Sequence, residues 1–160
     1  MGIIFLWQQE VFDFVIGLAE NAKHISIDDY CIIETENNVS IHLVSISNNF
    51  NPKQLSELQQ KYQTDNKQLI HLWEDVWLTK KEQVSVRLKS LLSKNTGFHA
   101  RKTKVIQLDA LIAKSFLEAN HVQGFVKAKY AFGLSTNDEI IAVATFSQVR
   151  PMKLKGCDYF

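Results

Sequence analysis

Residues 31–46, Cys31-Ile32-Ile33-Glu34-Thr35-Glu36-Asn37-Asn38-Val39-Ser40-Ile41-His42-Leu43-Val44-Ser45-Ile46, decide how the first part of this chain is read. Two runs rich in β-branched residues flank a polar segment ending in an Asn pair, and Asn tolerates positive φ, so the pattern predicts a β-hairpin. Side chains alternate along a strand, which sends Val39, Ile41 and Leu43 to one face and Ser40, His42 and Val44 to the other.

Upstream, Phe12, Val15, Ile16 and Ala19 recur three and four apart, and the spacing predicts a helix over residues 9–22 with one buried face. Downstream, Asn51-Pro52 pairs an N-cap with a proline at the first helical position, and Leu55, Leu58 and Tyr62 mark a buried stripe running to about Asp65. The apolar run 69–73 predicts a strand that leads into Glu74-Asp75-Val76-Trp77. Thr79-Lys80-Lys81-Glu82 has the form of a capping box, with Val84, Leu88, Leu91 and Leu92 as the core face of the next helix and Asn95-Thr96-Gly97 as its stop. Beyond Gly97 the pattern changes. A strand is predicted over 105–108, then a helix capped by Asp109 whose Ile112, Phe116 and Ala119 face inward, ending at residues 120–124. Residues 128–135 and 140–147, joined by Thr136-Asn137-Asp138-Glu139, read as a second hairpin. The expected division is 1–97 and 98–160, both α/β, and no repeat is visible.

At 46% apolar residues, with ten Phe, three Trp and only two Pro, the chain carries enough apolar surface to offset the ordering entropy of a packed core. Its net charge of +1 hides a division: residues 1–82 hold 6 Lys/Arg against 12 Asp/Glu, a net of −6, and residues 83–160 hold 12 against 5, a net of +7. This asymmetry points to a polyanion on the basic part, or to attraction between the two parts. Cys31 and Cys157 match neither a metal nor a redox spacing, the apolar start lacks a basic flank, and no stretch approaches the ~18 apolar residues of a membrane span. A reducing, cytoplasmic setting without a membrane partner is expected, and no oligomeric state follows.

Between Val84 and Leu108 there is no acid, while Arg87, Lys89, Lys94, Arg101, Lys102 and Lys104 supply six fixed positive charges. Such a run suits duplex phosphates, where each contact releases counterions; equally, it suits a solvated helix face followed by a basic linker. The five histidines, His24, His42, His71, His99 and His121, show no pair at metal-ligand spacing on one helix, and His71 reads as a satisfied core histidine. With no glycine-rich phosphate loop either, neither a metal nor a cofactor is expected.

The order helix, hairpin, helix, then Leu69-Ile70-His71-Leu72-Trp73-Glu74-Asp75-Val76-Trp77 over residues 9–93 resembles the very-short-patch-repair-like branch of the PD-(D/E)-x-K nuclease superfamily. The resemblance implies a restriction-endonuclease-like unit in which a hairpin Asp and a second-strand acid hold the divalent metal that activates water. Laid on this hairpin without gaps, those positions are Cys31 and His42, poor ligands for a hard cation; a shift brings Asp28 or Asp29 to the first but no acid to the second. The nuclease centre is therefore expected to be degraded.

Residues 98–150 resemble the phage proteins in which such a unit precedes a GNAT-type N-acyltransferase-like domain. The phrases are Ala100-Arg101-Lys102, Phe116 through Asn120, His121, Val122, Gln123 and Gly124, and the hairpin strands around Phe132 and Val143. The resemblance implies a partial α+β unit: its acyl-CoA phosphates would sit at a helix N-terminus after the next strand, and the chain ends at Phe160 before either. The function expected is that of a DNA-associated protein derived from a phage or mobile-element endonuclease, without catalytic residues. The alternatives are a truncated N-acyltransferase and a structural remnant acting in protein–protein interaction.

Overall fold

The computed structural model describes residues 5–95 and 97–149, and the backbone of 151–154 and 157–159. The chain is mixed α/β and divides into two compact units, Met1–Asn95 and Thr96–Phe160.

In the first unit, α1 (Leu6–Ile16) precedes three antiparallel strands, β1 (Lys23–Ile27), β2 (Tyr30–Glu34) and β3 (Val39–Val44). Then α2 (Pro52–Thr64) crosses over to β4 (Gln68–Trp73), which pairs parallel to β3, giving a sheet in the order β1-β2-β3-β4. The predicted hairpin is present, and Asn38 adopts φ 55° in its turn. Every residue of β3 is buried, because both faces are covered. On one face Phe12 of α1 meets His24; on the other, Ile32 and Leu69 pack with Leu58 and Tyr62 of α2.

Three helix boundaries differ from expectation. α1 begins at Leu6 because Gln8 accepts from the Phe5 amide, ends at Gly17, and buries Trp7, Val11 and Val15 rather than Ile16. The anticipated capping box at Thr79 is absent: Thr79 closes the short helix α3 (Glu74–Thr79) and its hydroxyl donates to the Asp75 carbonyl. The next helix, α4 (Lys81–Leu91), has no side-chain cap and buries Val84 and Leu88, with Leu92 buried just beyond it. It stops before the expected Asn-Thr-Gly, where Ser93 turns to φ 58° and the amides of Ser93 and Lys94 bond back to Ser90 and Lys89. Trp77 is fully buried, and its indole N–H donates to Glu10 Oε2 (3.3 Å), which also holds Lys81 at 2.8 Å. The Lys81 hydrogen bond is the main reason the Glu10 carboxyl lies below its usual range.

In the second unit, β5 (Lys104–Gln107) leads to α5 (Ala110–Asn120), capped by Asp109 as expected. The long hairpin β6 (Tyr130–Thr136) and β7 (Glu139–Phe146) completes an antiparallel sheet, β5-β6-β7. Asn137 and Asp138 both take positive φ, the conformation a two-residue hairpin turn demands. α5 faces inward through Ala113 rather than Ile112, which is exposed, and a Cβ on Gly133 would come within 2.9 Å of Leu108. Two further short strands, which the sequence reading lacked, form their own antiparallel ribbon: β8 (Pro151–Leu154) and β9 (Cys157–Tyr159).

Candidate functional site

The β1–β2 turn was not anticipated from the sequence. It places Asp28, at φ 51°, beside Asp29 at one end of the sheet. There they join Ser26, Cys31 and Leu43 from the strands, Gln8 from α1 and residues 47–50 from the loop after β3, around a pocket of about 570 Å³. This pocket opens at the carboxyl end of β3, where open α/β sheets usually hold ligands. Its lining mixes polar and apolar side chains and, among the described residues, carries two carboxylates but no Lys or Arg. Cys31 contacts His24 Nε2 at 3.0 Å, yet burial pushes its thiol up to about 11, so the contact is not that of an activated thiolate.

Strand register settles the relation between Cys31 and His42. Cys31 pairs with Leu43, and His42 pairs with Ile32, so the two side chains point to opposite faces of the sheet. They do not converge. Among the described residues no three His, Cys, Asp or Glu side chains form a set of metal ligands.

His42 instead meets His71. Parallel pairing puts them side by side on β3 and β4, with Nδ1 to Nδ1 at 2.9 Å, one ring donating and the other accepting. The Leu55 backbone also bears on the His71 ring, while the Nε2 of His42 is buried without a partner. Tyr30 and Phe50, stacked at 4.8 Å and 5°, both meet the His42 ring edge to face at 5.3 and 5.4 Å. Burial, then the neighbouring His71, lowers His42 to about 4; burial also lowers His71, against the Leu55 backbone, which favours its charged form.

The six predicted cations are all exposed and split between the units: Arg87, Lys89 and Lys94 in the first, Arg101, Lys102 and Lys104 in the second. At 100° per residue Arg87 and Lys89 leave α4 on nearly opposite sides. Arg101 and Lys102 share one 3-10 turn directly before Lys104. The ion pairs among the described residues use Lys53, Lys67, Lys81 and Lys114, none of these six. Asn120, His121, Gln123 and Gly124 end α5: the Asn120 amide donates to the Phe116 carbonyl, His121 is the C-cap, and Gly124 turns at φ 69°. Their visible work is to stop a helix. The outer face of the second sheet presents Val105, Phe132, Leu134, Ala142, Ala144 and Phe146 around an open, almost wholly apolar concavity of about 550 Å³.

No protein-family model, curated protein or solved structure matches the chain.

Proposed function

We propose that this chain is a DNA-associated protein whose first unit derives from a nuclease of the PD-(D/E)-x-K type and no longer cleaves. The order helix, antiparallel strands, helix and parallel closing strand, followed by the Glu74-Asp75-Val76-Trp77 phrase, supports that descent. One observation carries the loss of cleavage. On the pocket face the neighbour of Cys31 is Leu43, and His42 points away, so β2 and β3 add no acid to Asp28 and Asp29, and the pair stands without the strand carboxylate that such a metal site needs. Duplex contact belongs to exposed cations outside this pocket, because two carboxylates without a balancing cation disfavour a phosphodiester there. Arg101, Lys102 and Lys104, within four residues on a turn and a strand start, are the most concentrated group.

Incubating the purified chain with supercoiled plasmid and Mg²⁺ tests the loss of cleavage. No nicked product is expected from the parent protein. Nicking that disappears in Asp28→Asn or Asp29→Asn would overturn the assignment by showing that those acids complete a working centre.

A role in protein–protein interaction is the second reading, favoured by the open apolar face around Phe132 and Phe146. An N-acyltransferase descent for the second unit has the order strand, helix, long hairpin in its favour.

A further inference from the structure

We infer that the His42–His71 pair is a proton-operated latch on the loop of residues 45–51, the loop that walls the 570 Å³ pocket. The inference concerns this pocket alone and stands whatever macromolecule the chain binds. In the neutral pair one Nδ1–H donates to the other Nδ1, 2.9 Å away, and the accepting ring carries its own proton on Nε2, a part that suits His71 with the Leu55 backbone beside it. Adding a proton puts an N–H on both Nε2 atoms; His71 has the Leu55 backbone carbonyl beside it, but the Nε2–H of His42 is buried with no acceptor. Adding two sets Nδ1–H against Nδ1–H and breaks the bond. Either ring must then reach water, and His42, which is wholly buried, can do so only by parting from what covers it.

Phe50 is that cover. Its ring meets His42 and stacks on Tyr30, and Phe50 and Tyr30 both line the pocket. The rest of the loop is held lightly. Ile46 donates its amide to Glu74 Oε2 at 2.9 Å, Phe50 donates to Asn48 Oδ1, and the Asn48 amide donates to the Ser45 carbonyl. Among the described residues no charged group outside the pair bears on either ring, Asp28 and Asp29 of the β1–β2 turn included. From β2 the ring faces Tyr30; Glu34, at the far end of β2, is taken up by Lys67 and the Tyr62 hydroxyl. From α2, Glu57 and Lys61 stand on the outer rim beyond Tyr30, and Glu74 is engaged with the loop amide. Proton uptake therefore releases Phe50 and opens the pocket wall, while the neutral pair holds it shut.

The test is NMR on the full chain from pH 7.5 to 4, following backbone amides by ¹⁵N and the histidine rings by ¹³C. The latch predicts that amides of residues 46–51 move with the His42 and His71 ring signals at a shared midpoint below pH 6, with the β6–β7 hairpin amides still. In His42→Gln/His71→Gln, whose amides can bond each other but do not titrate, the loop signals should stay fixed over the same range. If that double variant does not fold, His71→Gln alone serves, and its loop midpoint must follow the remaining His42 ring. Loop amides that stay fixed while the rings titrate would overturn the latch, as would rings titrating near pH 6.5 or a loop transition unchanged in the variants.

Discussion

Protonation of His42 also has a thermodynamic consequence for the first unit. Both rings have folded-state values below the ordinary 6.5, His42 about 4, so the unfolded chain binds more protons than the folded one in that window. Stability is complete above about pH 6.5 and is lost as pH falls toward 4, with His42 alone contributing about 3 kcal/mol at one unit per ~1.4 kcal/mol. Trp7, Trp73 and Trp77 all lie in the first unit, so urea unfolding followed by tryptophan fluorescence reports on it. The midpoint should fall steadily from pH 7 to pH 5 and much less in His42→Gln/His71→Gln; equal pH profiles would show that other groups set the acid sensitivity. The pair was not legible in the sequence. Its members lie 29 residues apart, and only the parallel register of β3 and β4 sets them opposite each other. The alternation of β3 was legible and put His42 on the right face, but not its distance from Cys31's face, which depends on a pairing one residue out of step with the overlay.

At the scale of elements, what could be read locally held best. Asn51 caps α2 as its sequence indicates, its side chain accepting from the Gln54 amide while Gln54 reaches back to the Asn51 amide. Asn51→Ala should cost about 1 kcal/mol, read as a lowered urea midpoint of the same tryptophan transition. A neutral substitution would mean that α2 is held by Leu58 and Tyr62 packing alone. The Asp109 cap and the Asn137-Asp138 turn were legible for the same reason: their hydrogen bonds and φ values are set within four residues. Thr79 misled because a Ser/Thr hydroxyl serves either the following helix or the preceding carbonyl, and here Asp75 of α3 claims it. β1 was missed although His24-Ile25-Ser26-Ile27 alternates ahead of an Asp pair; a five-residue edge strand gives a weak periodic signal.

For the molecule as a whole, the charge division follows the units. Residues 1–95 hold 9 Lys/Arg and 12 Asp/Glu, and residues 96–160 hold 9 and 5, so the second unit carries the surplus of positive charge, net +4. The acid-free run that reads as continuous in the sequence is split at the unit boundary, and on α4 it diverges around the helix. Sequence adjacency exposed the charge but not its direction, which helix geometry decides. A DNA-associated role therefore rests most heavily on Arg101 and Lys102. The direct measurement is the duplex affinity of the full chain across a salt series, beside Arg101→Gln/Lys102→Gln. The parent should bind unrelated duplexes with a steep salt dependence, and the double variant should weaken all of them by similar factors and flatten the slope of log K against log salt by about 2. No binding by the parent, or a variant with the same affinity and slope, would contradict the account.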